Sequence, residues 1–534
     1  MTKSKDDTLS PRIKEKIGEL FMLGFEGTTI TPQIKRLITE FYVGNVILFA
    51  RNVKNPSQLK KLCHNLQTLR KTVSPTPLLI AVDQEGGAVT RIFKKGLIFP
   101  GNMSLGSLGS KQYAYRVGKA IGSELNALGI NLNLSPVLDI NTNPKNPGIG
   151  VRALSDDPKT VSELGRALIS GMQKNGTSAC AKHFPGKGDA CLDAHLFLPT
   201  IYTPFKKLNQ RELKPFRAAI KEKVAAIMVS HVMYPDYDPT HPASISKKIN
   251  SYLLRKKMNF QGLILTDDLE MKAIAQEIGI PQATITSLKN GVDIVLICHT
   301  FKQQLLSIRS VYQAVAAGEI TQKELNKKFN RIDKIKQLKL NKKFKRNRLS
   351  LKPNSVKNFL LAKKIAEKAI TLVKNEDNLI PIKDIKNKQI LLLSPLISNL
   401  TLVEEGNEED NFFYQEFKKR IPQLKEIKIK SNPSKKECLE TARKIKESQV
   451  NLVIILTYNA HLIPNQASLV KKILNLKIPT IIAAIRNPYD ILAFKKAKHY
   501  IVSYGFRTIS LKALTDVLLG KRKAQGKLPV KLDI

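Results

Sequence analysis

The chain has few cysteines, and none of them is placed as a ligand pair. Its 534 residues include only Cys63, Cys180, Cys191, Cys298 and Cys438, at scattered spacings. No CxxC pair occurs, so the sequence lacks the motif of a zinc ribbon or a thiol redox centre. An odd number of dispersed thiols is typical of a protein from a reducing compartment.

Long hydrophobic runs are also absent. No stretch reaches the roughly 18 consecutive apolar residues that a membrane-spanning helix needs. The N-terminal stretch MTKSKDDTLSPRIKEK has no apolar core of the signal-peptide kind. We therefore expect a protein without a transmembrane segment that resides in the cytoplasm. Export by a route not visible in the sequence is the alternative.

Acidic residues are scarce relative to basic ones. The 44 Asp and Glu residues stand against 88 Lys and Arg, which gives a net charge of +44. Such an excess suits a polyanionic partner such as nucleic acid or an anionic cell envelope. The charge is spread along the chain, however, and neither zinc-finger spacing nor an aromatic-basic RNA-binding pattern occurs. The sequence thus predicts no specific nucleic-acid binding and favours compositional drift as the source of the charge.

The sequence does contain a regular alternation of strand and helix patterns. Eight short runs rich in Val, Ile and Leu lie at 21–24, 43–49, 78–82, 132–138, 178–181, 226–229, 263–266 and 294–297. Candidate helices between them include 57–71, 111–128, 160–175, 208–222 and 246–258. Because alternating strands and helices form a parallel sheet covered on its faces, these units predict an α/β fold, a (β/α)8 barrel of the TIM type over 1–335.

A second domain is predicted after the barrel. The segment RIDKIKQLKLNKKFKRNR is strongly basic and has no strand pattern, and we interpret residues 336–355 as a linker. A helix near 356–373 is followed by apolar strands at 390–393, 450–456, 478–484 and 499–502, with helical stretches such as 436–448 between them. These patterns predict a smaller C-terminal α/β sandwich domain over 356–534.

Polar side chains occur where several predicted barrel strands end. They are Asp83 after LLIAV, Lys182 and His183 after SACA, His231 after IMVS, and Asp267 and Asp268 after LILT. The carboxyl ends of barrel strands converge on one mouth, where such barrels carry their active sites. A single strand-end Asp often only caps the next helix. Six such residues together predict a shared polar pocket.

Metal, phosphate and dinucleotide sites are not indicated. His183, Asp193, His195 and His231 are possible ligands, but their spacing is not that of a zinc or iron site, and HExxH is absent. The glycines of DQEGG and FPGKG form neither a P-loop nor a GxGxxG fingerprint. We predict no metal ion and no cofactor.

The remaining chemistry is that of acids, bases and nucleophiles. Asp193 lies two residues before His195, so a loop can bring the carboxylate to the imidazole, fix its tautomer and raise its proton affinity. Asp267, held at a strand end, is the candidate nucleophile or electrostatic stabiliser. The cationic donors available for hydroxyl groups are Arg91, Arg152 and Lys182.

Five segments, in chain order, carry a resemblance to a known family. They are AVDQEGGAVTRI, FPGNMSLG, SPVLDINTNPKNPGIGVRALSDDP, AKHFPGKGDACLDAHLFLP and GLILTDDLEM. Over residues 15–330 the chain resembles glycoside hydrolase family 3 enzymes of the β-N-acetylglucosaminidase (β-N-acetylhexosaminidase) type. The tail, with VNLVIILTYN and IPTIIAAIRNPYDI, is similar to that family's C-terminal domain. The KHFPG segment followed by Asp-x-His distinguishes these glucosaminidases from the family's β-glucosidases.

The resemblance implies a role for each matching residue. Asp267 matches the catalytic nucleophile, His195 the general acid/base, and Asp193 the dyad partner of that histidine. The positions that match substrate-binding residues are Asp83, Arg91, Arg152, Lys182 and His183. His231 and Asp268 fall in familiar segments, and we interpret them as residues that support the site from behind; a purely structural role is the alternative.

The chain departs from the family at three positions. The common Gly-His-Gly is Gly186-Lys187-Gly188 here, the middle of Asp-Ser-His is Ala194, and Ala88 stands where Arg is frequent. The dyad and the nucleophile are retained. The departures therefore bear on recognition of the leaving group or an attached peptide more than on the reaction.

Together these residues predict a retaining glycoside hydrolase that releases terminal β-linked N-acetylglucosamine through a covalent glycosyl-enzyme. The expected substrate is an N-acetylglucosamine-containing oligosaccharide, either a muropeptide from peptidoglycan recycling or a chitin-type chain. Two alternatives stay open: a phosphorolytic N-acetylglucosaminidase, and a non-catalytic basic barrel that binds anionic polymers. The sequence gives no indication of the oligomeric state.

Overall fold

The computed structural model describes residues 9–93, 96, 98–194, 196–340, 355–397 and 412–534, with only the backbone described at 338–340 and 412–413. His195, the predicted general acid/base, lies outside the described residues. So does residue range 341–354 of the predicted linker.

Eight parallel strands close into a barrel in the first domain. The first three barrel strands are β1 (Phe21–Leu23), β2 (Asn45–Leu48) and β3 (Leu79–Val82). After β3, the strands β4 (Gln84–Gly86) and β5 (Val89–Thr90) form an antiparallel hairpin outside the barrel. The other five barrel strands are β6 (Leu132–Asn133), β7 (Ser178–Phe184), β8 (Ala226–Val229), β9 (Leu263–Asp268) and β10 (Ile294–Ile297). Neighbours follow the order β1-β10-β9-β8-β7-β6-β3-β2, and β1 also pairs with β2. The predicted barrel is confirmed.

Helices connect the barrel strands. Their bounds are Pro11–Gly18, Pro32–Thr39, Pro56–Lys71, Asn102–Leu108, Lys111–Leu128, Pro158–Lys174, Phe205–Gln210, Leu213–Lys221, Lys248–Lys257, Lys272–Ala275, Ile280–Lys289, Phe301–Ala316 and Gln322–Leu340, with short turns at Ala50–Asn52, Gly150–Arg152 and Ala243–Ile245. Two of the helices begin with a side-chain cap followed by proline. Asn55 accepts a bond from Gln58 N–H, and Asp157 accepts one from Thr160 N–H. Both caps satisfy backbone donors that a helix start leaves open.

The second domain is built on a six-stranded sheet. Its strands are β11 (Thr371–Asn375), β12 (Ile390–Leu396), β13 (Lys425–Lys430), β14 (Leu452–Thr457), β15 (Thr480–Ala484) and β16 (His499–Val502), in the order β11-β16-β15-β14-β12-β13. Only β11 is antiparallel to its neighbour within this described sheet. The helical segments are Val356–Ala369, Ile385–Asn387, Phe412–Lys418, Lys435–Glu447, Pro464–Leu474, Pro488–Ala493 and Thr508–Leu518. Apolar clusters lie on both sides of the sheet, and the predicted α/β sandwich is confirmed.

Some element bounds differ from the predictions. The helix predicted over 356–373 ends at Ala369, and the β-branched Thr371 and Val373 lie in edge strand β11. Strand β13, with the sequence KEIKIK, was not predicted because charged residues alternate with apolar ones and only Ile429 in it is buried. The helix predicted over 208–222 is two helices, Phe205–Gln210 and Leu213–Lys221. Tertiary packing, rather than local pattern, decides these bounds.

The last barrel helix extends through 336–340 of the predicted linker. Lys336 is fully buried, and its ammonium contacts Glu19, which also accepts a 2.7 Å bond from Arg70. Burial lowers the pKa of Lys336 to about 8. Because Glu19 lies just before β1, this ion cluster fixes the helix to the amino end of the barrel, opposite the strand ends where the polar pocket was predicted.

The second domain packs on the loops at the carboxyl end of the barrel. Tyr489 OH accepts a 2.7 Å bond from the Asn141 amide, and His461 Nε2 lies 3.0 Å from the Pro144 carbonyl oxygen. Further along, Asp156 accepts a 2.7 Å bond from Lys531 N–H. Ala88, Met103 and Val151 of the barrel belong to the same apolar cluster as one face of the second sheet. The second domain therefore holds barrel segment 141–156 in place.

Gly150 gives a test of this contact. Its φ is +45°, and a Cβ there would lie 2.5 Å from Oδ1 of Asn487, whose amide is bonded to Asn459. Gly109 also has positive φ, +58°, but a Cβ there meets nothing within 4 Å. Left-handed backbone costs either alanine about 1–2 kcal/mol. We expect Gly150→Ala to lower the thermal unfolding midpoint more than Gly109→Ala, because it adds a clash between domains. Equal decreases of the unfolding midpoint in the two variants would contradict a tight contact between Gly150 and Asn487.

Candidate active site

A cavity of about 440 Å³ opens at the carboxyl ends of the barrel strands. Residues lining it come from different strand ends, among them Asp83 after β3, Lys182 in β7 and Asp267 in β9. Of the residues predicted from sequence, those that line it are Asp83, Arg91, Arg152, Lys182, His183, Asp267 and Asp268. The barrel topology thus brings together side chains that are far apart in the chain.

One side of the cavity is built on a buried carboxylate, Glu85. Arg152 donates to it through two nitrogens, Nε at 3.0 Å from Oε2 and Nη2 at 2.8 Å from Oε1. Lys182 Nζ lies 2.7 Å from Glu85 Oε1 and 2.6 Å from Asp83 Oδ1. Arg91 Nη2 is 3.6 Å from Asp83 Oδ2. We call these five residues the Glu85 cluster.

The charges of the Glu85 cluster stabilise one another. Burial alone would raise the pKa of Glu85, but the positive charges of Arg152 and Lys182 outweigh it and hold that pKa at about 2. Burial likewise opposes charge on Arg152 and Lys182, while the neighbouring carboxylates raise the pKa of both. All three groups therefore stay charged at neutral pH. A bidentate arginine–carboxylate pair of this kind also fixes geometry.

Asp267 lies on β9, and its side chain is 16% exposed at the cavity. Its Oδ1 accepts a 3.0 Å bond from the backbone N–H of Asp268, and its Oδ2 lies 3.4 Å from Nζ of Lys187. The carboxylate is thus oriented by the backbone on one oxygen and faces a cation on the other. This arrangement suits a nucleophile that approaches a ligand from the strand ends.

His183 is held by Asp139, a residue that was not predicted. Its Nδ1 lies 2.7 Å from Asp139 Oδ2, and its backbone N–H donates to the same oxygen at 3.2 Å. The other carboxyl oxygen accepts a 2.7 Å bond from Lys187 N–H. Burial raises the pKa of Asp139 to about 6 despite these donors and the Lys187 charge. Asp139 therefore orients His183 and anchors the loop that follows β7.

His231 is fully buried behind Asp268 and does not line the cavity. Its Nε2 lies 2.9 Å from the Asp268 carbonyl oxygen and its Nδ1 2.7 Å from Ser244 Oγ. Burial lowers the pKa of His231, which favours a neutral ring that donates from Nε2 and accepts at Nδ1. The ring thereby supports the backbone beside Asp267.

Asp268 belongs to the rim of the cavity. Its Oδ1 accepts from Cys298 N–H and Glu270 N–H, both at 3.2 Å, and its Oδ2 lies 3.2 Å from His299 Nε2. That hydrogen bond raises the pKa of His299, and Arg51 Nη1 lies 3.1 Å from the other ring nitrogen. The structure thus adds His299 and Arg51 to the cavity wall.

The loop that carries Asp193 lies against this wall. Ala194 is buried in a small cluster with Met271 and Ala273, and Met271 itself lines the cavity. Asp193 Oδ1 is 3.9 Å from the position that a Cβ on Gly148 would take. Asp193 does not line the cavity, and its predicted partner His195 lies outside the described residues. The loop therefore reaches the segment that follows Asp267, but the predicted dyad stays a prediction.

The sequence did not indicate five residues of the site: Glu85, Asp139, Lys187 as a contact of Asp267, Arg51 and His299. Asp139 directly follows the strand predicted at 132–138, and His299 follows the run IVLIC, so the strand-end rule applied to them would have found both. Glu85 and Lys187 lie in DQEGG and FPGKG, glycine-rich motifs that indicate neither contact by themselves. Their roles depend on partners from other strands, which no local pattern indicates.

No group of three or more His, Cys, Asp or Glu side chains is arranged to hold a metal ion in the part of the chain that the structure describes. Among the described helices, none combines the length and apolar character needed to cross a membrane.

Comparison with protein families assigns both domains to one family. The N-terminal domain of glycosyl hydrolase family 3 matches residues 12–335, and the family's C-terminal domain matches residues 370–533. The chain belongs to glycosyl hydrolase family 3. The predicted family is thus confirmed, as is the prediction of a glycoside hydrolase.

Named relatives are similar over about half of the chain or more. Beta-hexosaminidase A of Pseudoalteromonas piscicida is 36% identical over 68% of this chain, and the match spans 64% of that protein. A beta-hexosaminidase of Neisseria meningitidis serogroup C is 38% identical over 52% of this chain and 78% of its own length. A solved family 3 beta-N-acetylglucosaminidase from Paenibacillus sp. str. FPU-7 is 34% identical with a TM-score of 0.91, over 98% of this chain and 99% of that one.

Removing the charge of Glu85 tests the cluster built on it. Glu85→Gln leaves Arg152 and Lys182 buried with one carboxylate fewer, and we expect it to destabilise the fold by about 3–5 kcal/mol at pH 7. Since the pKa of Glu85 is lowered, its contribution is present above pH 4.5 and is lost as the pH falls toward 2. The difference in thermal midpoint between parent and variant should therefore narrow in acid.

The matched control is Glu163→Gln. Glu163 is 42% exposed and pairs with Lys111 at 3.7 Å, so its loss should change stability by less than about 1 kcal/mol. A Glu85 variant as stable as this control at neutral pH would contradict the role of the cluster.

Proposed function

We propose that this chain is a retaining β-N-acetylglucosaminidase that removes terminal β-linked N-acetylglucosamine from oligosaccharides. The observation that carries the proposal is Asp267, held on β9 in a cavity whose opposite side is the Glu85 cluster. The named β-hexosaminidase relatives and the Paenibacillus β-N-acetylglucosaminidase, which aligns with nearly the whole chain, support the same reaction.

In the first step a carboxylate oxygen of Asp267 bonds to the anomeric carbon of the sugar while the glycosidic C–O bond breaks. The proposed acid, His195, gives its proton to the departing oxygen. In the second step water attacks the anomeric carbon, its proton passes to His195, and the ester bond to Asp267 breaks. Two displacements on the same carbon retain the β configuration.

His195 and Asp193 are proposed as the acid/base dyad. An imidazole has an ordinary pKa of about 6.5, so it can serve as the acid in one step and as the base in the next near neutral pH. Support comes from the neighbouring residue Ala194, which packs on Met271 and Ala273 just beyond Asp267 in the chain. The loop that carries the proposed dyad is therefore anchored at Ala194 beside the segment that follows Asp267.

The Glu85 cluster and His183 are proposed to bind the sugar. The Asp83 carboxylate accepts hydroxyl hydrogens, and the donor groups of Arg91, Arg152 and Lys182 are oriented by Glu85 and Asp83 before any ligand arrives. A ligand that meets oriented charged donors gains hydrogen bonds without the cost of ordering these side chains. His183, fixed by Asp139, contributes from β7.

For the natural substrate we propose peptidoglycan-derived fragments processed in the cytoplasm, with chitin oligosaccharides as the second substrate class. Mass spectrometry of the products from a muropeptide mixture and from a chitobiose series distinguishes the two. The same incubations with and without phosphate distinguish free N-acetylglucosamine from its 1-phosphate, and so hydrolysis from phosphorolysis. Parallel polymer-binding measurements at two salt concentrations test the alternative of a non-catalytic basic barrel.

Replacing the proposed nucleophile tests the reaction. Asp267→Asn should reduce kcat on 4-nitrophenyl N-acetyl-β-D-glucosaminide by about 10³-fold or more, because an amide does not form the ester, while leaving the thermal midpoint near that of the parent. The matched control is Asp377→Asn in the second domain, whose side chain is 63% exposed and pairs with Lys498. Retained activity in the Asp267 variant would rule out this nucleophile.

Replacing the proposed acid tests the dyad. His195→Ala should lower kcat/KM on a chitobiose substrate by about 10²- to 10⁴-fold. The loss should be smaller on the 4-nitrophenyl glycoside, because nitrophenolate departs without a proton. The matched control is His64→Ala, at an exposed position of helix Pro56–Lys71, which should leave kcat/KM on both substrates unchanged. Equal losses on the two substrates would contradict a role for His195 as a proton donor.

A further inference from the structure

Lys187 lies in the loop that follows β7, and its side chain faces the proposed nucleophile. Its Nζ lies 3.4 Å from Asp267 Oδ2, and the two side chains are 10% and 16% exposed. Charges at this separation that are mostly shielded from water interact far more strongly than surface ion pairs do. The charge of the Lys187 ammonium therefore acts directly on the Asp267 carboxylate.

The backbone of Lys187 is fixed on both sides. Its N–H donates to Asp139 Oδ1 at 2.7 Å, and its carbonyl oxygen accepts a 2.8 Å bond from the Asn146 amide. A Cβ on the neighbouring Gly188 would lie 1.7 Å from the Ile140 carbonyl oxygen, so the segment packs directly against residues 139–140. Because these contacts involve backbone atoms, a change of the Lys187 side chain leaves them in place.

We propose that Lys187 is a positioning residue for the reaction: its ammonium holds the Asp267 carboxylate ionised and in place, and stabilises that carboxylate when it leaves the glycosyl-enzyme. This rests on the proposed function, in which Asp267 is the nucleophile.

The two steps respond differently to such a charge. When the Asp267 oxygen bonds to the anomeric carbon and the glycosidic bond breaks, the carboxylate loses its negative charge and Lys187 loses an ionic partner. When water attacks that carbon and the ester bond breaks, the electron pair returns to the Asp267 oxygen and the ion pair forms again. The Lys187 charge therefore lowers the barrier to hydrolysis of the glycosyl-enzyme relative to the barrier to its formation.

Other charged groups face the same cavity and are unchanged in the test. They are the Glu85 cluster, the Asp139–His183 pair, the Asp268–His299 pair, and Arg51, Glu270 and Lys272 at the rim. His231 also lies close enough to Asp267 and Lys187 to interact electrostatically with both. Lys187 is in direct contact with Oδ2 of Asp267.

The experiment compares Lys187→Met, Lys187→Arg and the control Lys206→Met, an exposed lysine on helix Phe205–Gln210. In the Met variant the acid limb of the kcat/KM profile on the 4-nitrophenyl glycoside should move toward neutral pH by about one unit or more. At pH 7.5 kcat and KM should both fall, by about tenfold, because the glycosyl-enzyme accumulates. A burst of nitrophenolate should appear. The Arg variant should restore the acid limb, and the control should match the parent.

A second readout does not need a substrate. In the free enzyme the titration of the Asp267 carboxyl, identified by ¹³C NMR as the signal lost in Asp267→Asn, should have its midpoint at higher pH in Lys187→Met than in the parent. An unchanged midpoint overturns the inference whether or not the chain hydrolyses the glycoside. A shifted midpoint in a protein inactive on N-acetylglucosaminides supports the electrostatic contact and contradicts the proposed function instead. Should the Met variant fail to fold, Lys187→Gln takes its place in both measurements.

Discussion

Glu85 joins three separate parts of the barrel mouth through one buried charge. It lies in the hairpin after β3, and it binds Arg152 from the segment after β6 and Lys182 from β7. Burying three charges costs desolvation free energy that is offset only when every donor and acceptor finds its partner. The cluster is therefore stable in a narrow range of geometries, and those geometries fix the donors that line one side of the cavity.

The second domain contributes to the same arrangement from outside the barrel. Arg152 also donates to the Gly148 carbonyl oxygen at 2.7 Å, and the turn from Gly150 to Arg152 lies directly beneath Asn487. Contacts of Tyr489 and His461 hold the chain just before this turn. The position of the Arg152 guanidinium thus depends on packing between domains as well as on Glu85. This gives the second domain a role in shaping the cavity, although none of its described residues lines it.

The sequence alone predicted the order of the barrel strands and most of the residues at their ends, because hydrophobic runs and strand-end polar residues are local patterns. It did not indicate β13, where a charged, half-exposed edge strand has no apolar run, or the end of the helix at Ala369. Within the site, Asp83 and Asp267 follow apolar runs and were found, whereas Glu85 and Lys187 have partners from other strands. The family resemblance assigned roles to Asp193 and His195 that no spacing rule distinguishes from those of an ordinary loop.

The net charge of +44 does not leave the cavity with a simple positive field. Lys182 and Arg152 are paired with Glu85, Lys187 faces Asp267, and Arg51 pairs with Glu26. Each of these cations is paired with a carboxylate, so its effect is exerted over a few ångströms and depends on direction. A neutral sugar gains little from a long-range field but much from oriented donors and from an ionised nucleophile. The electrostatics that matter for the proposed reaction therefore lie in these short contacts rather than in the overall charge of the chain.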